Sequence, residues 1–199
     1  MNRTLLLTLV LTHSTATFAG HGFMNSFDDI ESLPDPGTTP DEIGYQVDSW
    51  QEQAQLAIAS GPEERYVLAL ELCREKIAEI EAMVVEDNAS AAKTAVDAYT
   101  RHLNTAAQEL ESHSEATQVS LNLEFANTLL EHQYVLSVNY LDLPREARVL
   151  MLEAIRVADG RYRKVSSLLD RKVKESLFFK EEKVRWSTEV AEQADIQGL

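Results

Sequence analysis

The sequence predicts an all-α protein, an antiparallel bundle of long helical hairpins with coiled-coil-like packing. Three observations carry that prediction. Apolar residues recur at alternating spacings of four and three along most of the chain beyond residue 45, the period of a helix that buries one side. Breakers are scarce, with seven glycines and five prolines among 199 residues, so the elements run long. No stretch after residue 45 shows the two-residue alternation of a strand.

Ser49-Trp50-Gln51-Glu52 matches a capping box, in which a serine and a glutamate three residues on satisfy free N–H groups at a helix start. It predicts a short first helix carrying Ala54, Leu56, Ala57 and Ile58. Ser60-Gly61-Pro62-Glu63 stops it and opens the second, because proline has no N–H to lose in a first helical turn. In the second helix Tyr66, Leu70, Cys73, Ile77, Ile80 and Val84 form one seam, with Glu71, Arg74, Glu75, Glu79 and Glu81 expected opposite. Asp87-Asn88-Ala89-Ser90 reads as a break and a new N-cap. The third helix repeats the period with Ala92, Val96, Tyr99, Leu103, Ala106 and Leu110. Ser112-x-x-Glu115 marks either a further cap or a helix that runs through.

The fourth helix carries two apolar rows, Val119, Leu123, Ala126 and Leu130 beside Phe125, Leu129, Leu136 and Tyr140. Two rows make a wider buried side than a coiled-coil seam. Asp142-Leu143-Pro144 opens the fifth, followed by Ala147, Leu150, Met151, Ala154, Ile155, Ala158, Tyr162, Val165, Leu168 and Leu169. Gly160 within it is expected to kink or weaken the helix. A last charged stretch, Leu177 to Ala194, is expected to be helical and less well buried. The resulting division is a signal segment at 1–19, an acidic proline-containing linker at 20–44, a bundle at 45–175 and a charged tail at 176–199.

The first twenty residues, MNRTLLLTLVLTHSTATFAG, have the form of a secretory signal. Arg3 supplies a positive start, Leu5 to Leu11 a short apolar run, and Ala16 and Ala19 offer small side chains before alternative cleavage points. The run is too short for a transmembrane helix, which needs about 20 apolar residues. The expected location is therefore outside the cytoplasm, periplasmic or extracellular in a bacterium, with no stable membrane span after cleavage. Phe23, Met24 and Phe27 in the linker either pack on the domain or contact a partner, with packing or disorder the expectation.

The formal charge of −15 argues against nucleic acid as a partner, since cations must neutralise phosphates. One cysteine, Cys73, rules out an intramolecular disulfide, and its position in the seam predicts a buried thiol.

Two stretches carry a resemblance. DSWQEQAQLAIASGPEERYVLALELCREKIAEIEAMV and LPREARVLMLEAIRVADGRYRKVSSLL together resemble, over about residues 45–170, a family of exported bacterial and archaeal helical domains known as a domain of unknown function. The resemblance implies a helical fold and an exported location. It implies no activity and brings no catalytic residue.

A search for chemistry finds no spaced motif. There is no His-Glu-x-x-His, no Gly-x-Ser-x-Gly and no glycine-rich phosphate loop. His102 and His113 share a helix face but lie about 16 Å apart at 1.5 Å rise per residue. Glu109 with His113, and Glu131 with His132, are read as surface pairs. No cofactor, metal or catalytic residue is expected.

Charge is unevenly placed. Residues 144–185 hold twelve Lys/Arg against seven Asp/Glu, and residues 20–143 hold five against 23. Either the fifth helix docks its cations at seam margins opposite acids, or the stripe binds a partner. In the second case Arg161, Arg163, Lys164, Arg171, Lys172 and Lys174 carry it, with Phe178 and Trp186 adding apolar contact. The expected function is that of an exported non-enzymatic module for protein–protein interaction or self-association in the cell envelope. The alternative is a periplasmic metal-sensing or chaperone-like hairpin protein, resting on His102, His113 and His132.

Overall fold

The computed structural model describes residues 33–138 and 145–197. The expected signal segment, Phe23, Met24, Phe27, Tyr140 and the opening at Asp142-Leu143-Pro144 lie outside the described residues. Those residues form six helices: α1 (Tyr45–Ile58), α2 (Pro62–Val85), α3 (Ala89–Glu111), α4 (Glu115–Val138), α5 (Arg145–Ser166) and α6 (Arg171–Gln197). No strand occurs among the described residues.

The start of α1 differs from the capping-box expectation. The helix begins at Tyr45 behind Gly44, which makes no side-chain cap. A preceding turn stages it: Glu42 Oε2 accepts from the Thr39 N–H at 3.1 Å, and the Glu42 N–H donates to the Thr39 carbonyl at 2.9 Å. Starting there buries Tyr45. Ser49 and Glu52 then fall inside the helix, and Glu52 turns inward. Pro62 opens α2 as expected, and Glu64 reaches back to accept from the Ser60 N–H at 2.6 Å.

The α2–α3 turn is tight for a local reason. Asp87 has φ of 57°, the left-handed conformation that commonly ends a helix. The Asn88 N–H then reaches the Met83 carbonyl at 2.8 Å, and the Asp87 N–H reaches that of Val84 at 3.1 Å. These two bonds make a Schellman motif and satisfy carbonyls that the helix end leaves over. Asn88 immediately caps α3, its side chain accepting from the Ala91 N–H at 3.2 Å. One residue pair thus ends one helix and starts the next.

The helix does not run through at residue 112. Ser112 is the C-cap of α3 and donates its hydroxyl to the Glu109 carbonyl at 2.6 Å. Ser114 lies before the first turn of α4, its carbonyl 2.9 Å from the Thr117 N–H. Gln118 ties the junction by donating to the carbonyls of Glu111 and His113 at 3.0 and 2.9 Å.

The helices pair as two hairpins, α2 with α3 and α4 with α5, joined where α3 meets α5. The buried side of α3 is small: Ala91, Ala92, Ala95, Ala98, Ala106 and Ala107 are all nearly inaccessible. Small side chains let α2 lie close, and Tyr66, Ile77, Ile80, Tyr99 and Leu103 fill the remaining space with no exposure. One apolar core runs on through Phe125, Leu129 and Leu136 of α4 and Met151, Ile155 and Ala158 of α5. The helix α5 continues unbroken through Gly160.

The tail belongs to the bundle. Helix α6 starts at Arg171, so the boundary at 175/176 falls within a helix. It lies on α4 and buries Leu177, Lys180 and Val184. Two seam expectations fail at helix ends: Val119 in the first turns of α4 and Leu168 beyond the end of α5 are 63% and 65% exposed. Among the described residues no helix is long and apolar enough to cross a membrane.

The left-handed conformation costs a non-glycine residue roughly 1–2 kcal/mol, part of which glycine returns through its freer unfolded chain. Asp87→Gly should therefore raise stability to urea by about 0.5–1 kcal/mol, and Asn88→Ala, which removes the cap, should lower it by about 1 kcal/mol. Leu129→Ala in the shared core should cost about 2–5 kcal/mol.

Candidate functional site

Helix α2 carries a second row beside its seam: Ala69, Leu72, Lys76, Glu79 and Met83, spaced three and four apart. All five are buried, Lys76 with no exposure and Glu79 at 1%. The expectation that Glu79 lies on the solvent side is therefore wrong, because α1 covers that side. Lys76 Nζ donates to Glu79 Oε1 at 2.5 Å and to Glu52 of α1. His102 Nε2 of α3 lies 3.1 Å from the second oxygen of Glu52. The Tyr45 ring centroid is 5.4 Å from Lys76 Nζ. One lysine, two glutamates, a histidine and a tyrosine thus join α1 to the first hairpin.

The charges in this cluster are unequal. Burial pushes the Glu79 carboxyl up to about 7, the charge on Glu52 adds to the rise, and Lys76 offsets it in part. Burial works against Glu52 as well, but hydrogen bonds from His102 and Lys76 outweigh it and hold that carboxyl below the usual range. The Lys76 ammonium is driven up, the hydrogen bonds it donates to both glutamates overcoming burial. Glu52 is thus the carboxylate held ionised beside Lys76, and Glu79 is the more readily protonated of the two.

With α1 docked through Tyr45, Glu52 and the half-buried Leu56, its other side faces out. Val47 is 51% exposed, Trp50 65% and Ile58 80%, and Ile43 just ahead of the helix is fully exposed. Ile43, Val47, Trp50, Ala54 and Ile58 lie 4, 3, 4 and 4 apart, one apolar stripe directed away from the bundle. Of the four residues that marked this helix in the sequence, Ala54, Leu56, Ala57 and Ile58, only Leu56 is partly buried.

The basic stripe is divided by the fold. Arg161 donates to Asn104 and Lys164 lies 2.6 Å from Glu111. Both reach across to α3 at the margin of its seam with α5. Arg163 pairs with Asp159 on its own helix at 2.9 Å, and Arg171 with Glu175 at 3.2 Å. Both are largely exposed, and such pairs contribute about 0–1 kcal/mol. Lys172 is exposed and Lys174 half-buried.

Arg171, Lys174 and Phe178 come together around a shallow hollow on α6. Phe178 and Phe179 are 51% and 62% exposed and stack edge to face, with centroids 5.7 Å apart. Trp186, 69% exposed, follows seven residues after Phe179 and so lies on the same side of the helix. Helix α6 therefore buries Leu177, Lys180 and Val184 and turns three aromatic rings outward among Arg171, Lys172 and Arg185.

A cleft of about 400 Å³ separates α5 from α6. Buried Leu130, Ile155 and Val184 line it with Arg156, Arg163 and Arg185, and acids of both helices stand among the arginines. Arg185 holds Glu182 at 2.5 Å, and the Tyr162 hydroxyl donates to Glu181.

The histidines occupy three separate settings. His102 belongs to the ionic cluster. The Nδ1 of His113 faces the backbone carbonyl of Glu109 at 2.8 Å, while the Glu109 carboxylate holds Arg65 at 2.9 Å. The expected Glu109–His113 side-chain pair does not form. His132 is buried, not a surface residue. Its Nδ1 is 3.2 Å from the Tyr99 hydroxyl. Burial, with Arg74 nearby, pulls it down to about 3, so it is neutral in ordinary buffers. Glu131 instead accepts from Asn127 and Lys180. Among the described residues no group of three His, Cys, Asp or Glu is placed to hold a metal ion. Cys73 is inaccessible, and burial pushes its thiol up.

These features define a class: a helical bundle whose buried charged side chains have partners within the fold and which turns large apolar residues outward on α1 and α6. The family model of a domain of unknown function (DUF5667) matches residues 37–138, just over half of the chain, and the chain belongs to that family. The match takes in α1 to α4. The second stretch that carried the resemblance, Leu143 to Leu169, lies outside it. No curated protein and no solved structure matches the chain.

Removing one partner of a buried ion pair costs about 3–5 kcal/mol, so Lys76→Met should lower stability by that amount in urea titration. Glu79 binds a proton more readily in the folded chain than in the unfolded one. Between about pH 4.5 and 7, rising pH therefore works against the fold at this residue. The stability of Glu79→Gln relative to wild type should improve as pH rises from about 5 to about 8. A difference that stays flat would mean that Glu79 does not titrate in that range.

Proposed function

We propose that this protein is an exported, non-enzymatic helical module that makes protein–protein contacts, or scaffolds itself, in the cell envelope. The observation that carries the proposal is the pair of outward apolar faces, Val47, Trp50 and Ile58 on α1 and Phe178, Phe179 and Trp186 on α6. Single exposed apolar residues are ordinary, but aligned ones rimmed by polar side chains mark interaction sites. Tryptophan and arginine are also the residue types that most often anchor interfaces. Export rests on the first nineteen residues, with their positive start, apolar run and small residues before the cut.

The outward members of the basic stripe support the same reading. Arg163, Arg171 and Lys172 make no buried contact that the fold requires, so they are available to steer an acidic partner. Lys76, Glu79 and His132, all buried and strongly shifted, are engaged inside the bundle rather than on these outward faces.

Photo-reactive residues at Phe179 and Trp50, introduced in the producing cell, should give protein adducts in the envelope fraction, while the same residue at exposed Ser90 should give none. Adducts at all three positions, or at none, would refute the reading. Reversing Arg163, Arg171 and Lys172 to glutamate should weaken the Phe179 adduct several-fold and leave the thermal melt within a few degrees of wild type.

A further inference from the structure

We infer that the two outward faces are made for each other in different copies of the chain, so that α1 of one molecule docks on α6 of the next. The inference rests on the interaction reading above and names the partner. Three observations carry it.

The faces match in kind and length. The stripe on α1 from Val47 to Ile58 rises about 17 Å, and the aromatic row on α6 from Phe178 to Trp186 rises about 12 Å, at 1.5 Å per residue. Each presents apolar side chains half exposed or more. Aliphatic Val47 and Ile58 around Trp50 offer a surface against which the rings of Phe178, Phe179 and Trp186 can pack.

They also match in charge. No lysine or arginine occurs between Leu33 and Glu64, where seven acids stand. Asp41 and Glu42 lie just before α1, and Glu63 and Glu64 just after it. Helix α6 opens with Arg171, Lys172 and Lys174, close behind Arg163 and Lys164 at the end of α5. Acidic ends on one face meet a basic end on the other, which favours this pairing over α1 on α1.

Finally, the fold keeps the two faces apart within one chain. Helix α1 is packed on α2 and reaches α3 through His102, while α6 lies on α4. The exposed side of each helix is the one opposite its packed side. A contact between them is therefore made between molecules. Because it joins two different surfaces, a copy docked through one face still has the other to offer. Such contacts build an open row or a closed ring, whose smallest member is a dimer in which each copy's α1 docks on the other's α6.

Sedimentation of the purified chain over a wide concentration range tests this. Wild type should give dimers or larger species that grow with concentration. Trp50→Glu on α1 and Trp186→Glu on α6 alter exposed residues and should keep the wild-type thermal melt. Each alone should be monomeric, with self-association weakened at least tenfold. Mixed in equal amounts they should form a one-to-one pair and nothing larger, since one variant retains the α6 face and the other the α1 face.

A wild type that stays monomeric overturns the inference, and so does self-association that both variants retain. If one variant dimerises while the other does not, like faces are pairing and the inference is again overturned. A monomeric wild type whose Phe179 still forms adducts with another envelope protein would leave the interaction reading standing and refute only the choice of partner.

Discussion

Lys76 is the constraint from which the arrangement of the first hairpin follows. It sits midway along α2, in a row that the α2–α3 hairpin and α1 bury completely. An unpaired ammonium there would cost several kcal/mol. Glu79, three residues on, supplies one carboxyl from the same helix, but burial favours its protonated form. The compensating charge comes from Glu52, and Glu52 is on α1. The helix is thus positioned by the charge it must deliver, with Tyr45 closing one end of the cluster and His102 fixing the far oxygen of Glu52. Orientation follows directly. A helix that turns its glutamate inward at 6% exposure must turn the opposite side, the one with Val47, Trp50 and Ile58, to solvent.

The same logic holds at α6. Lys180 is 3% exposed and bonds to Asn127 at 2.7 Å, with Glu131 at 3.2 Å. Ser187 meets Ser137 at 2.8 Å further along. Polar side chains help fix how α6 lies on α4, and its aromatic residues are left outside. Both peripheral helices thus carry a buried charged group among apolar residues on the docked side and further large apolar residues on the free side, unlike an ordinary surface helix. The two central hairpins follow the ordinary rule, with apolar seams inside.

That contrast explains what the sequence revealed. The seams of α2 and α3 were legible residue by residue, from Tyr66 to Val84 and from Ala92 to Leu110, because apolar period and burial coincide there. The break at Asp87-Asn88 was legible from its residue types. The docking of α1 was not, because its strongest apolar period marks its exposed side. A glutamate inside a helix carries no local sign that it faces a lysine 24 residues later. The row Ala69, Leu72, Lys76, Glu79 and Met83 was a usable signal, since its ends are apolar at helical spacing, but reading its middle as buried requires knowing that another helix covers it. For the same reason His132, next to Glu131 in sequence, reads as a surface residue, although it faces Tyr99 and Glu131 faces Lys180. That the last helix is less well buried was legible from its many charges, but which of Phe178, Val184 and Trp186 turn outward was not, since Val184 is buried and the two rings are exposed.

The family match ends at residue 138, yet the fold does not end there. Helix α4 buries Phe125, Ala126, Leu129, Leu130 and Leu136, more apolar surface than the first hairpin alone covers. Met151, Ile155 and Ala158 of α5 join those residues in one core. Without α5, the side of α4 on which these residues pack would be open to water, at a cost of about 25 cal/mol for each Å² of apolar surface uncovered. The chain beyond the match is therefore needed to close the core that the match begins. The α1 face belongs to the part shared with the family, whereas the α6 face belongs to the part that lies outside the match. If the two faces pair between copies, half of the contact is carried by the family region and half by the helices that complete it in this chain.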